Sequence, residues 1–110
     1  MITIVEVPTF VREAAQIWSS GELDEIKDFL IRNPGSGDVI PGAGGVRKLR
    51  WAVEGRGKRG GARVIYYYHS RRLPLFLLTA FRKNRTGDLT MAQKHNIGKL
   101  VNGLLAEFRS

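Results

Sequence analysis

Residues 62–81, ARVIYYYHSRRLPLFLLTAF, contain two predicted strands and the short connection between them. β-Branched and aromatic residues are concentrated in Ala62–His69 and Leu73–Phe81, and the connection of three residues between them is typical of a hairpin. A third strand is predicted at Val46–Val53, joined to the hairpin by a glycine-rich connection. Because consecutive strands with short connections usually pair with each other, we predict an antiparallel three-stranded meander.

Further elements precede this meander. Residues 2–7 are mostly β-branched, which indicates a short first strand. Residues 10–18 have apolar side chains at helical spacing, and a second helix is predicted to begin at a capping box formed by Ser19 and Glu22. Pro34–Gly45 contains five glycines and two prolines and is predicted to be a loop.

A last helix is predicted after the meander. Thr90 and Gln93 have the spacing of a second capping box. The apolar stripe that follows consists of Ile97, Leu100, Val101, Leu104, Leu105 and Phe108. We therefore predict one α+β domain over residues 1–110: a short N-terminal strand, two helices, the three-stranded meander and a C-terminal helix, with the helices on one side of one sheet.

The basic charge of the chain is confined to its middle third. Residues 47–85 contain twelve Lys or Arg and one acid, a net charge of +11, whereas residues 1–46 contain three basic and seven acidic residues, a net charge of −4. A basic excess concentrated in this way indicates a surface for a polyanion, and nucleic acid is the polyanion that we expect.

The remaining composition limits the class of protein. Cysteine is absent, so the sequence offers neither disulfides nor thiolate chemistry. The longest apolar stretch has nine residues, too few to cross a membrane, and the first residues lack the pattern of a secretory signal. We expect a cytoplasmic protein without membrane partners.

Alternation along the strands separates buried from exposed positions. Lys48 and Arg50 lie on the face of their strand opposite Leu49, and Arg63 alternates with Val64 in the next strand. If the apolar faces coincide, Lys48, Arg50 and Arg63 stand together. Arg82 and Lys83 then follow at the end of the third strand. Solvated strand faces that prevent edge aggregation are the alternative, but convergence from three strands favours a site.

The residue types near these cations restrict the chemistry. Residues 47–85 contain only one carboxylate, too few for a paired-acid hydrolase or a Mg²⁺ cage, and His69 and His95 have no metal-ligand spacing. Gly42–Gly45 completes no phosphate-loop motif. Arg, Lys and Tyr can grip a phosphate and stabilise developing negative charge. Since RNA supplies its own nucleophile, the 2′-OH, we predict metal-free RNA cleavage without any cofactor.

Several segments together resemble the RelE/ParE toxin superfamily, most closely its HigB-like branch. The resemblance covers nearly the whole chain and rests mainly on residues 44–50 (GGVRKLR), 62–67 (ARVIYY), 81–84 (FRKN) and 88–90 (DLT). It implies a small toxin that enters the ribosomal A site and cuts translated mRNA by attack of the 2′-OH on the adjacent phosphate. The implied partners are mRNA, the ribosome and its rRNA, and a cognate antitoxin, a HigA-like helix-turn-helix protein.

The resemblance also assigns roles to individual residues. Lys48 and Arg50 match the basic pair on the second strand, Arg63 matches the arginine that stabilises the phosphorane, and Lys83 matches the residue that protonates the leaving group. The predicted RNA-binding residues are Arg47, Arg56, Lys58, Arg59, Tyr67, Arg82 and Asn84. Some relatives have an aromatic residue that stacks on a base near the start of the last helix, where this chain has Leu89 and Thr90.

Two other functions remain open. One is a ParE-like inhibitor of DNA gyrase on the same fold, which would cause DNA breakage and leave mRNA intact. The other is a non-enzymatic nucleic-acid-binding module, which the charge distribution alone suggests.

Overall fold

The protein has a five-stranded mixed sheet. The computed structural model describes residues 2–53, 61–83 and 89–109. The strands in these residues are β1 Ile4–Glu6, β2 Asp38–Val39, β3 Val46–Trp51, β4 Ala62–Tyr67 and β5 Leu75–Arg82. Their order across the sheet is β1–β5–β4–β3–β2. β1 pairs in parallel with β5, and every other neighbouring pair is antiparallel.

The α+β class is confirmed, but the sheet is larger than the predicted three-stranded meander. β3, β4 and β5 form that meander, and β1 extends it on the far side of β5. β2 lies within Pro34–Gly45, which was predicted to be a loop throughout, and pairs Asp38 with Lys48 and Val39 with Arg47. A strand of two residues has no periodicity that sequence analysis can detect, which explains the difference.

The described residues also form three helices, α1 Pro8–Ala15, α2 Ser20–Arg32 and α3 Met91–Arg109. Both predicted capping boxes are present. The Ser19 hydroxyl accepts a hydrogen bond from the Glu22 amide at 3.2 Å, and the Glu22 carboxylate accepts one from the Ser19 amide at 2.9 Å. Thr90 and Gln93 make the equivalent pair of hydrogen bonds at 2.8 and 3.1 Å.

The helices cover both faces of the sheet, so the prediction that they lie on one side is wrong. On one face, α1 and α2 pack on a cluster that includes Val64 and Tyr66 of β4. On the other face, α3 packs on a cluster that includes Ile65 and Tyr67 of the same strand. β5 divides its apolar side chains in the same way. Because both faces of the central strands are apolar, helices on one side alone would leave a hydrophobic surface in water.

The connection between α1 and α2 is attached to the residue that follows β3 and belongs to the apolar cluster beneath these two helices. α1 ends at Ala15, so the last of the apolar positions at helical spacing in residues 10–18 lie beyond the helix. Trp18 follows the helix, is 3% exposed and donates its indole N–H to the Ala52 carbonyl at 3.0 Å. Among the described residues, no helix has the length and apolar character needed to cross a membrane.

Candidate nucleic-acid interface

Strand register brings Lys48, Arg50 and Arg63 to one face of the sheet, and we call these three residues the basic face. Arg50 lies directly opposite Arg63, and Lys48 lies directly opposite Ile65. Side chains opposite each other on antiparallel strands have Cβ atoms about 5 Å apart. Ile65 packs with α3, so the basic face is on the side of the sheet that α3 partly covers.

The three cations differ in exposure. Arg50 is exposed, whereas Lys48 and Arg63 are half-buried. The Arg63 guanidinium donates a hydrogen bond to the Ala62 carbonyl at 3.3 Å, and Arg63 is also the direct partner of Phe81 on β5. Arg63 therefore lies between a second arginine on β3 and an aromatic ring on β5.

Arg82 and Lys83 lie at the end of β5, next to the start of β4. Arg82 is opposite Ala62, whose side chain lies in the cluster beneath α1 and α2, so its register assigns it to the face away from Arg63. Lys83 is exposed, and its amide donates to the Gly61 carbonyl at 3.2 Å. Lys83 follows directly after β5, at the end of the sheet where Ala62 and Arg63 begin β4.

Arg47 occupies a structural position. Its guanidinium donates hydrogen bonds to the carbonyls of Gly35 at 3.2 Å and Gly37 at 2.8 Å. Its side chain is directed to the loop between α2 and β2, on the side of β3 opposite Lys48. Its charge therefore holds a loop in place and is turned away from the basic face.

Tyr67 is also part of the packing. It is 7% exposed and belongs to the cluster beneath α3. A Cβ at Gly45 would lie 3.2 Å from its ring, and Gly45 has φ of +93°, so the glycine permits both the close approach and the turn. Tyr67 offers little surface on which a base could stack.

The neighbouring Tyr66 fixes the same loop as Arg47. Its buried hydroxyl accepts a hydrogen bond from the Gly37 amide and donates one to the Pro34 carbonyl, both at 2.8 Å. Burial raises the pKa of the Tyr66 hydroxyl above its ordinary value of 10.0. We call Tyr66 and Arg47, with the carbonyls and amide that they bind, the loop clamp. Sequence analysis did not identify it, because a tyrosine in an apolar strand gives no sign of what its hydroxyl binds.

The clamped loop leads into a cavity beside the basic face. The cavity has a volume of about 190 Å³. Lys48 and Lys94 line it together with five apolar residues, Ile40, Pro41, Ile65, Phe81 and Leu89. Lys94 is on the first turn of α3 and was not among the predicted site residues, because one lysine in an amphipathic helix has no distinguishing pattern.

The other predicted RNA-binding residues, Arg56, Lys58, Arg59 and Asn84, lie outside the described residues. Within those that are described, no group of three or more His, Cys, Asp or Glu could hold a metal ion. A comparison of the sequence with known protein families finds no match. The geometry of the described cations is therefore the basis for a functional proposal.

Proposed function

We propose that this protein is a ribosome-dependent mRNA endonuclease, a toxin that cleaves translated mRNA in the ribosomal A site and so inhibits translation. The observation that carries the proposal is the direct pairing of Arg50 with Arg63, with Lys48 on the same face. Two arginines opposite each other on neighbouring strands, with a lysine on the same face, concentrate positive charge at one place on the sheet, which favours the binding of an anion.

The proposed reaction is attack by the RNA 2′-OH on the adjacent phosphorus, with departure of the 5′-oxygen and formation of a 2′,3′-cyclic phosphate. Arg63 and Arg50 stabilise the charge that develops on the phosphoryl oxygens. Lys48 and Lys83 are the candidates for removing the proton from the 2′-OH and for protonating the leaving oxygen. The reaction needs no metal because the substrate supplies the nucleophile and the side chains supply the positive charge.

The substitution Arg63→Gln tests this proposal. It removes the charge next to the phosphate, and we expect cleavage to fall by roughly 100-fold or more. We expect the free energy of unfolding to change by less than about 1 kcal/mol, since the like-charge pair with Arg50 is also removed. Arg71→Gln is the matched control, because Arg71 is an exposed arginine at the opposite end of β4, in the turn to β5.

The readout is 3′-end mapping of mRNA after brief induction, with purified ribosomes programmed with a defined message as the second assay. Cuts within translated codons that disappear with Arg63→Gln and persist with Arg71→Gln are expected. Growth arrest with intact mRNA and broken DNA would instead identify a gyrase inhibitor. RNA binding without any turnover would identify a binding module.

We also propose a cognate antitoxin as partner, with the helix-turn-helix character that the sequence resemblance implies. The first check is the neighbouring reading frame in the same operon. Co-expression of that frame should abolish the growth arrest, and an operon without such a partner would contradict this part of the proposal.

A further inference from the structure

The cavity beside the basic face has the composition of a binding site for a flat ring. Five of its seven lining residues are apolar, Phe81 among them, and the two polar ones are both lysines. A volume of about 190 Å³ is smaller than the 300–1,000 Å³ typical of sites for drug-sized ligands, so it fits one ring system better than a whole nucleotide.

The cavity adjoins the proposed phosphate site through paired residues. Phe81 is the direct partner of Arg63, and Ile65 is the direct partner of Lys48. Phe81, Ile65 and Lys48 all line the cavity. A nucleotide whose phosphate lies against Arg63 therefore has the cavity beside it, because Phe81 lies directly across from Arg63 on the neighbouring strand.

Lys94 supplies the polar contact from the helix side. Its backbone is fixed, because its amide donates to the Thr90 carbonyl at 2.9 Å in the first turn of α3. The ion pairs of the described residues do not include Lys94. An ammonium group donates hydrogen bonds and accepts none, so it favours a ring edge that carries acceptors.

We propose that this cavity binds a guanine base of the RNA substrate, the base that flanks the phosphate held at the basic face. Guanine has two adjacent acceptors, O6 and N7, to which the Lys94 ammonium donates, whereas the corresponding edge of adenine carries an amino group. Phe81 provides a surface for the ring to stack on. The assignment of the flanking phosphate rests on the proposed endonuclease function, but base binding in the cavity does not require cleavage.

Binding is tested with the full-length protein and free nucleotides. ¹³C-methyl NMR spectra are recorded during titration with GMP, AMP and inorganic phosphate, and the methyl groups of Ile65 and Leu89 report on the cavity. We expect GMP to shift both signals at lower concentration than AMP, with inorganic phosphate leaving them unchanged. Lys94→Gln should weaken GMP binding by roughly tenfold or more. Lys99→Gln, an exposed lysine on the same helix outside the cavity, should leave it unchanged.

The second measurement is the base composition at mapped cleavage sites. We expect guanine to be enriched next to the cut with the wild-type protein, and the enrichment to disappear with Lys94→Gln but to remain with Lys99→Gln. Cleavage without base preference, together with equal binding of GMP and AMP, would overturn the cavity proposal and leave the endonuclease standing. GMP binding that depends on Lys94, in a protein that cuts no RNA, would support the cavity and refute the endonuclease.

Discussion

The loop clamp predicts a large effect from the loss of one oxygen atom. Tyr66→Phe removes the hydroxyl that accepts from the Gly37 amide and donates to the Pro34 carbonyl. Gly37 is buried, so its amide would be left without an acceptor at a cost of about 1–3 kcal/mol, and the second lost hydrogen bond adds about 1 kcal/mol. We expect the free energy of unfolding to fall by about 2–4 kcal/mol, a large part of the ~5–15 kcal/mol usual for a small domain.

The assay is urea unfolding at neutral pH, with Tyr68→Phe as the matched control. Tyr68 is half-buried against the same core, and its hydroxyl has no hydrogen-bond partner among the described residues. We expect Tyr68→Phe to change stability by less than about 0.5 kcal/mol. Equal losses from the two substitutions would refute the argument, because the hydroxyl hydrogen bonds would then contribute nothing beyond ring packing.

The pH dependence of stability provides a second test of the hydrogen bonds made by the Tyr66 hydroxyl. Burial raises the pKa of Tyr66 in the folded protein above the unfolded value of 10.0, so between these two pKa values the folded state binds more protons than the unfolded state. The contribution of Tyr66 to the free energy of unfolding therefore has its full value below pH 10.0 and is lost as the pH rises through the pKa of the folded state. The stability advantage of the wild type over Tyr66→Phe should be constant below pH 10.0 and shrink above it.

Two further predictions concern Arg47 of the loop clamp and the cap of α2, each with a matched comparison variant. Arg47→Met deprives two carbonyls of a charged donor, and we expect a loss of about 1.5–3 kcal/mol in urea unfolding. The slope of log RNA affinity against log salt concentration should be unchanged by Arg47→Met and should fall by about one unit with Arg50→Met. A reduced slope with Arg47→Met would show that Arg47 contacts the RNA. Ser19→Ala removes the cap of α2, and calorimetry should show about 1 kcal/mol less stability, against almost no change for the exposed Ser20→Ala. Similar losses from the two serine substitutions would contradict the cap.

Much of the secondary structure was predictable because its signals are local. Both capping boxes consist of two residues three positions apart, and the structure has both. The alternation of Lys48 and Arg50 with Leu49 was equally readable, because the side-chain period of a strand is two. A shift of one residue between β3 and β4 would have put Arg63 on the opposite face, so their joint position depended on register.

The remaining features depend on contacts between distant segments. Arg47 and Lys48 are adjacent basic residues, yet one binds loop carbonyls and the other lines the cavity. Nothing in their sequence tells which face of β3 meets the loop. The helices on both faces could have been anticipated from β4, where apolar side chains occupy consecutive positions from Val64 to Tyr67, a pattern typical of strands buried on both sides.

The parallel pairing of β1 with β5 also determines when the protein can fold during its synthesis. β1 contains Ile4–Glu6, but its partner residues are Leu75–Leu77, more than half of the chain later. β4 and β5 together supply residues to both clusters. A nascent chain that ends before β5 therefore has no partner for its first strand and can complete neither core. The opposition of Arg50 and Arg63 depends on the same sheet, so an interrupted synthesis yields chains that carry the basic residues without the surface that they form.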